Sequence, residues 1–334
     1  MRSTDSTIGP LMPRTISIDT IRDAAAAVYD AAVRTPLVSI GHLSSDGPEI
    51  FLKLEVLQPI GSFKIRGAYN AVRRLPQSTL EQGVWTVSAG NAAQGVALAA
   101  RKAGAKCSVM VMDTAPETKL RAIDRLGATI VKATYSECWQ TVTDHASPRM
   151  TGHFVHPFDD DAFISGNGTV GLEILEDLPD TDAVIAPVGG GGLLAGIGVA
   201  FRALKPDAAV YAAEPATAAP LARSFSRGEA SAFEEWQASF VDGAGGRSVL
   251  KTMWPLLKEY VRESIVVSLD DAAAAMRLVA ERAHVIAEGA AACAVAAAVS
   301  PAVASRGHRK VVAVVSGGNV DLSRFAQLVG ACPP

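Results

Sequence analysis

Short apolar runs rich in β-branched residues alternate with helical patterns along most of this 334-residue chain, and this alternation is the feature that most constrains its fold. The sequence predicts strands at 50–55, 84–89, 107–112, 129–133, 183–189, 209–214 and 310–317. Helical stretches lie between them, and two of these end in Gly soon after a basic residue, as helices commonly do. Strands joined by crossover helices run parallel, so the sequence predicts an α/β fold with parallel-rich twisted sheets covered by helices.

The loops that directly follow strands are where such a fold binds its ligands, beyond the carboxyl ends of the strands. Four of these loops have an informative composition: 57–64, 88–95, 189–193 and 316–319. No low-complexity linker or internal repeat separates two independent units. A smaller lobe inserted into a larger one is compatible with this pattern.

Four consecutive glycines, Gly189 to Gly192, follow the strand at 183–189 and precede a helix predicted to start near Leu193. Without β-carbons, their amides can approach one bound group closely, and the helix N-terminus adds unpaired N–H groups and a positive dipole. The motif is neither a Walker P-loop nor GxGxxG. It predicts a phosphate site, and the alternative is a tight strand-to-helix turn without a ligand.

The stretch "SAGNAAQG" at 88–95 places several polar groups between a strand and a helix. Ser88 or Asn91 would cap the helix, which is the simpler interpretation. A cap needs only one such residue, however, and the loop also has Gly90 for close approach. A loop of this kind can hold a small carboxylate through its backbone amides, so both interpretations stay open.

One lysine is placed unusually, because Lys64 in "LQPIGSFKIRGAYNA" lies between Phe63 and Ile65 just before an aliphatic helix. It is either a solvated helix lysine or a buried amine. Burial among apolar neighbours lowers a lysine pKa and supplies the neutral amine that imine chemistry requires.

Composition narrows the function classes. Apolar residues make up 49% of the chain and charged residues 19%, which fits a globular protein rather than a disordered one. The net charge of −3 gives no reason to expect nucleic acid or an anionic membrane as a partner. The cysteines (Cys107, Cys138, Cys293, Cys332) are widely spaced, as expected of free thiols.

The expected compartment is the cytoplasm. The first residues lack the apolar run of a secretory signal. The most apolar stretch, 287–299, is short for a membrane span, so it is predicted to be a buried helix.

Taken together, these motifs resemble one family. "GSFKIRGAYNA", "SAGNAAQGVALAA", "HPFDDDAFISGNGTVGLEIL", "VGGGGLLAG" and "VVSGGNVDL" occur in the order found in pyridoxal-phosphate enzymes of fold type II, above all threonine/serine dehydratases and serine racemases. The resemblance covers roughly residues 20 to 330. It implies a large cofactor-binding domain at 1–75 and 159–334, a small domain at 76–158 that closes over the substrate, and a homodimer.

The resemblance also implies roles for individual residues. Lys64 matches the lysine that binds the cofactor as a Schiff base, and Phe63 would line the ring pocket. Asn91 would hydrogen-bond the cofactor's 3′-oxygen, Ser316 would face its pyridine nitrogen, and Gly243 would form part of the pocket wall. The phosphate would be held by the amides of Gly189, Gly190, Gly191, Gly192 and Leu193. The substrate carboxylate would be held by Ser88, Ala89, Gly90, Asn91 and Ala92.

The implied activity is elimination of water from a β-hydroxy amino acid, giving a 2-oxo acid and ammonia. A serine at the pyridine nitrogen cannot stabilise a protonated ring as an aspartate would, which favours expulsion of a β-leaving group over transamination. The alternatives are an amino-acid racemase or a β-replacement enzyme on the same scaffold. A different class is a non-catalytic phosphate-binding α/β protein, predicted from the glycines alone.

Two departures from the family pattern refine this expectation. Ala89 stands where the racemases carry a serine that acts as acid and base, so racemisation is disfavoured. Ala92 stands where most of these enzymes have histidine. The smaller, less polar wall disfavours a β-carboxylate such as that of 3-hydroxyaspartate and favours an apolar β-substituent, as in phenylserine.

Metal ligands are scarce in the sequence. Glu214 matches the first acid of the racemase cation site, but Pro220 occupies the aspartate position, so divalent-cation binding is weakened. Glu214 is therefore a metal candidate beside a structural alternative. His153 and His156 are predicted to lie in one strand on opposite faces, which argues against zinc.

Overall fold

The structure, a computed structural model, describes residues 13–45 and 47–331, and in this part of the chain it forms two sheets covered by helices. Cys332 lies outside the described residues, and the other three cysteines are free thiols. The strands are β1 (Leu37–His42), β2 (Glu49–Lys53), β3 (Val84–Val87), β4 (Cys107–Met112), β5 (Thr129–Ala133), β6 (His153–Phe154), β7 (Ala183–Pro187), β8 (Ala209–Pro215), β9 (Glu263–Val267) and β10 (Lys310–Val314).

The larger sheet has six strands in the order β1-β2-β10-β7-β8-β9. Its strands pair in parallel except at one edge, where β1 and β2 are antiparallel. The smaller sheet has four parallel strands in the order β5-β4-β3-β6. The predicted α/β fold with parallel-rich sheets is therefore confirmed. The smaller sheet lies within residues 84–154, inside the range proposed for the small domain.

All seven predicted strands are present, with ends that differ by a few residues. Two further strands, β1 and β9, were not predicted. Both are edge strands, and the register of β1 shifts between Ser39 and Gly41, which interrupts its alternation. The strand expected around His153 and His156 is present as the two-residue β6.

The helices pack on both sheets. They are α1 (Ile18–Val28), α2 (Lys64–Arg73), α3 (Gln77–Glu81), α4 (Asn91–Lys102), α5 (Glu117–Asp124), α6 (Tyr135–Asp144), α7 (Asp161–Asp177), α8 (Gly192–Leu204), α9 (Pro220–Arg227), α10 (Trp254–Tyr260), α11 (Leu269–Ala283), α12 (Gly289–Ala298), α13 (Pro301–Ala304) and α14 (Leu322–Gly330). A 3₁₀ turn spans Glu55–Leu57. Every residue of the Ala-rich α12 is buried in the core of the large sheet, as predicted for this stretch.

A buried ion network lies beneath the lysine loop. Arg66, two residues after Lys64, donates to both Glu55 and Glu173, with N–O distances of 2.6 to 3.0 Å. The Lys53 ammonium donates to Glu173 at 2.6 Å. Two cations thus face two carboxylates at essentially zero exposure. The network ties α2 to β2, the 3₁₀ turn and α7, because each of these elements carries one of the charges.

Candidate active site

One cavity of about 550 Å³ lies at the carboxyl ends of strands from both sheets. It is lined by residues that follow β3, β4, β7 and β10. Every residue that the sequence predicted for cofactor or substrate lines this cavity: Phe63, Lys64, Ser88, Ala89, Gly90, Asn91, Ala92, Gly189, Gly190, Gly191, Gly192, Leu193, Gly243 and Ser316. Glu214 is not among the lining residues.

Lys64 is the first residue of α2, is half-buried and lines the cavity. The amine donates a hydrogen bond to the carbonyl of Pro157 at 2.6 Å. It also lies 5.3 Å from the ring centres of both Phe63 and Phe163. Burial lowers the pKa of Lys64 to about 8, although the nearby Glu288 opposes that shift. A neutral amine is therefore accessible close to neutral pH, as imine formation requires.

Main-chain hydrogen bonds join the lysine loop to the loop that carries Ser316. The Phe63 amide donates to the Ser316 carbonyl at 3.0 Å, and the Gly318 amide donates to the Gly61 carbonyl at 2.9 Å. Gly61 has a φ of +69°, a conformation that glycine adopts without strain. Lys64 and Ser316 are thus held on one rigid frame although about 250 residues separate them.

The glycine tetrad forms a close-fitting turn into α8. Gly191 has a φ of +94° and is the N-cap of α8, and within the described residues no side chain caps this helix. A β-carbon on Gly190 would lie 2.1 Å from the Phe158 ring, and one on Gly192 would lie 2.6 Å from the Phe158 carbonyl. The first amides of α8 have no partners within the helix and lie at the cavity wall, so this turn can hold a phosphate.

The polar loop at 88–92 does not use its side chains as helix caps in the described structure. The N-cap of α4 is Gly90, without a side-chain hydrogen bond, and Ser88 Oγ instead accepts from the Gly90 amide at 3.1 Å. Asn91 donates to Glu288 Oε1 at 2.9 Å, and its own Oδ1 accepts from Asn319 at 2.7 Å. The simpler interpretation as a cap is therefore wrong, and the first amides of α4 are available to an anion at the cavity.

Glu288 is a site residue that the sequence analysis did not assign. It is the N-cap of α12, is 5% exposed, and lines the cavity beside Asn91. Burial raises its pKa to about 7, and the negative Asp242 adds to this effect. Glu288 fixes which way the Asn91 amide points, since one Asn91 N–H is committed to it and the other is free for a ligand. Its position before an Ala-rich run gave no functional signal.

The segment 156–159 forms the opposite side of the lysine. His156 Nδ1 accepts from the Asp159 amide at 2.7 Å, and the His156 Nε2 lies 3.2 Å from the Val142 carbonyl, so that nitrogen carries the proton. Asp159 accepts from Thr252 at 2.5 Å and pairs with Arg14. These contacts hold the Pro157 carbonyl in place for Lys64.

The predicted arrangement of His153 and His156 in one strand is wrong, because β6 ends at Phe154. His156 instead lies near His145 and Asp159, with candidate ligand atoms within 4.8 Å of one another. Both ring nitrogens of His156 are engaged by the backbone, and Asp159 is paired with Arg14. His156 and Asp159 therefore serve the fold of this segment.

Glu214 is fully buried, and its carboxylate is occupied by protein donors. Oε1 accepts from the Leu221 amide and Oε2 from the Ala222 amide, both at 2.9 Å, while Ser264 donates to Oε2 at 2.6 Å. The two amides belong to the first turn of α9, so the carboxylate caps that helix. This geometry favours the structural alternative, and the role as a cation ligand stays a prediction.

Glu214 should make stability depend on pH. Burial raises its pKa to about 7 in the folded protein, against an ordinary value of 4.5 when unfolded. The folded state therefore holds the extra proton between these values, and its free energy of unfolding should fall as the pH rises from 4.5 to 7. Between pH 4 and pH 8, the free energy of unfolding of the wild type should fall by about 3 kcal/mol relative to that of Glu214→Gln. Urea unfolding at several pH values measures this, and parallel pH profiles would contradict it.

Comparison with known proteins identifies the class to which this fold and site belong. Residues 28–317 match the family model described as pyridoxal-phosphate dependent enzyme. The chain is 37% identical over 317 residues to L-threonine ammonia-lyase of Thermotoga maritima, covering 94% of this chain and 78% of the relative. It is 34% identical to serine racemase of Dictyostelium discoideum, covering 94% and 98%. The structure of maize serine racemase superposes with a TM-score of 0.85 at 32% identity, covering 93% and 96%.

The chain therefore belongs to the pyridoxal-phosphate dependent enzymes of fold type II. Within that family it lies among the threonine dehydratases and serine racemases. Its cofactor is pyridoxal 5′-phosphate. The site fits this group, because a buried amine and a glycine turn at an uncapped helix N-terminus line the same cavity.

Among the described residues, no helix has both the length and the apolar composition needed to cross a bilayer. The homodimer and the cytoplasmic compartment stay predictions.

Proposed function

We propose that this enzyme is an ammonia-lyase that removes water from a β-hydroxy amino acid and yields a 2-oxo acid and ammonia. The observation that carries the proposal is the arrangement of the cavity. The buried Lys64 amine lies on one side, whereas Ala89 offers no protic side chain in the loop proposed for the substrate carboxylate. The printed name of one relative, L-threonine ammonia-lyase, supports the same reaction.

The proposed roles follow from the contacts. The uncapped first turn of α4 and the backbone of 88–92 bind the substrate carboxylate, and the first turn of α8 holds the cofactor phosphate. When bound, pyridoxal phosphate withdraws electrons from the substrate's α-carbon. Lys64, whose pKa is about 8, removes the α-proton. The bond from the β-carbon to the hydroxyl breaks, and the hydroxyl leaves as water with one proton, which balances the proton that Lys64 took from the α-carbon. The released enamine tautomerises and is hydrolysed to the 2-oxo acid and ammonia.

The second candidate is an amino-acid racemase, favoured by the similarity to serine racemases. Efficient racemisation needs a proton donor on the face of the substrate opposite Lys64, and Ala89 cannot move a proton. A β-replacement enzyme would need a second nucleophile site, for which neither sequence nor cavity offers a specific observation. A non-catalytic phosphate-binding protein has no support in the family to which the chain belongs.

A two-product assay tests the proposal. Holoenzyme is incubated with D- or L-serine, threonine, phenylserine and 3-hydroxyaspartate, and both 2-oxo acid and the opposite enantiomer are measured. We expect 2-oxo acid to exceed racemised product by at least about tenfold for the best substrate, since only one proton-transfer group is proposed. Ala89→Ser should raise racemisation relative to elimination. Racemisation as the main reaction of the wild type would contradict the proposal.

A further inference from the structure

One wall of the active-site cavity consists of apolar side chains to which the sequence assigned no role. It is formed by the end of β4, by α6, by the loop after β6 and by the segment before α10. We call it the apolar wall, and its members are Met110, Cys138, Trp139, Val142, Phe158 and Leu250. Three of them belong to one buried cluster of the small sheet, against which Phe158 and Leu250 pack. Five of the six wall residues are therefore packed together on the small sheet.

The apolar wall lies next to the reactive groups. Phe158 directly follows Pro157, whose carbonyl accepts the hydrogen bond from the Lys64 amine at 2.6 Å. The same ring packs on the phosphate turn, where a β-carbon on Gly190 would lie 2.1 Å from it. A substrate whose α-carbon is within reach of Lys64 therefore lies beside Phe158, in the cavity that the rest of this wall also lines.

The support behind Phe158 is uncharged. The His156 and Phe158 rings meet nearly at right angles with centres 4.6 Å apart. His156 uses both ring nitrogens in backbone hydrogen bonds, and burial lowers its pKa to about 3. This imidazole is therefore neutral at physiological pH and cannot serve as a cation for an acidic side chain.

Among the described residues that line the cavity, no cation is available to pair with a carboxylate on the substrate's side chain. Within the described residues, the cationic side chains that line it are Lys64 and Lys119. Lys119 is paired with Asp242, and Lys64 is the proposed base. Glu288 adds a further acidic group. A second carboxylate on the substrate would thus be desolvated without a free partner, which is costly.

The composition of the wall favours an aromatic ring over a small aliphatic group. Phe158 and Trp139 can pack edge-to-face with a third ring, and the sulfur of Cys138 lies in the same wall, where contact with an aromatic group is favourable. The methyl group of threonine is too small to cover such a surface. We propose that the substrate carries an aryl group on its β-carbon, as in 3-phenylserine. This inference rests on the proposed elimination and names its substrate class.

The first test compares kcat/KM for 2-oxo acid release by the holoenzyme from 3-phenylserine, threonine, serine and 3-hydroxyaspartate, each as separate stereoisomers. Phenylserine should be preferred over threonine by roughly 10- to 200-fold, the range that apolar contacts provide in a substrate pocket. Threonine, serine or 3-hydroxyaspartate as the best substrate would overturn the inference and leave the proposed reaction intact.

The second test uses matched variants. Trp139→Leu should lower the ratio of kcat/KM for phenylserine to that for threonine by about tenfold or more, since it removes a ring from the wall. Trp254→Leu removes a tryptophan that packs against Phe225 and does not line the cavity, and it should leave this ratio unchanged. An unchanged ratio in Trp139→Leu would count against the inference.

The third test measures binding without turnover. Phenylalanine, alanine and aspartate lack the β-hydroxyl, so calorimetric titration of the holoenzyme reports side-chain recognition independently of elimination. Phenylalanine should bind at least about tenfold more tightly than alanine, and aspartate more weakly than either. Aspartate binding as tightly as phenylalanine would overturn the inference. Tight phenylalanine binding without 2-oxo acid from any substrate would instead refute the proposed function.

Discussion

Replacing Lys64 by alanine should abolish the visible absorption of the bound cofactor and lower 2-oxo acid release by at least about 1,000-fold. The variant loses the covalent anchor and the general base together, and each is worth several orders of magnitude. The surrounding cavity should survive, because Lys64 contributes one side-chain hydrogen bond, to the Pro157 carbonyl, and the helix after it is held by other residues. Absorbance spectra after incubation with pyridoxal phosphate, followed by the product assay, measure both effects.

A matched control for this experiment is Lys102→Ala. Lys102 is an exposed lysine in the last turn of α4 and does not line the cavity. Its replacement should leave both spectrum and activity unchanged. If Lys64→Ala kept the spectrum of the wild type, the Schiff-base assignment would be wrong. If it kept full activity with an altered spectrum, the assignment of Lys64 as the base would be wrong.

Replacing Arg66 by alanine should lower the free energy of unfolding by about 3–5 kcal/mol. Arg66 is fully buried and donates to Glu55 and Glu173, so its loss leaves two buried carboxylates with only one cation, Lys53, and a cavity between the elements they join. The effect should be measured as a shift of the urea midpoint in the holoenzyme and again after removal of the cofactor, because a bound cofactor stabilises the folded state.

A matched control for Arg66 is Arg74, which lies at the end of the same helix. Arg74 pairs with Asp23 on the surface, where both side chains are about half exposed. Arg74→Ala should change stability by less than about 1 kcal/mol, the usual worth of an exposed ion pair. Equal effects of the two substitutions would show that the buried network contributes little to stability. Arg66→Met fills more of the space left by Arg66 than Arg66→Ala does. It should therefore lower the free energy of unfolding by less, if the cavity accounts for a large part of the effect.

The network also has a bearing on the site, because Arg66 follows Lys64 on α2 by two residues. Arg66 anchors this helix to α7, while main-chain bonds anchor the preceding loop to the Ser316 segment. Lys64 is thus fixed from both sides along the chain. Such rigidity favours catalysis, because small displacements of a reactive amine from its productive geometry lower the reaction rate strongly.

Much of the fold was readable from local sequence. Strands such as 107–112 and 183–189 are recognised because a buried parallel strand needs a continuous run of β-branched and apolar residues. The edge strand β9 escaped because it is partly exposed and lacks the continuous apolar run of a buried strand, and the strand expected around His153 and His156 is only two residues long. Lys64, the glycine turn and the polar loop could be recognised in the sequence, because each contains residues that a helix surface, a turn or a helix cap does not require.

Other site residues had no such signal. Glu288 is a plain helix N-cap in sequence, and Phe158 and Trp139 resemble ordinary core residues. They become site residues only because the chain brings the starts of α12, α7 and α6 to one cavity. The misplacement of His156 in a strand has the same origin, since its environment is set by Val142, His145 and Asp159 rather than by its sequence neighbours.

The sequence by itself determined the class of fold and the residues that can bind a phosphate, form an imine and hold a carboxylate. Those properties depend on local chemistry: a strand period, an absent β-carbon, an amine among apolar neighbours. The tertiary structure alone decided that these groups share one cavity, that Glu214 caps a helix, and that the wall beside Lys64 is apolar and lacks a free cation. Burial and pairing arise between segments far apart in the chain, so the pKa of Lys64 and the aromatic composition of the apolar wall follow from contacts that no local pattern encodes, whereas Ala92 alone had already favoured an apolar β-substituent.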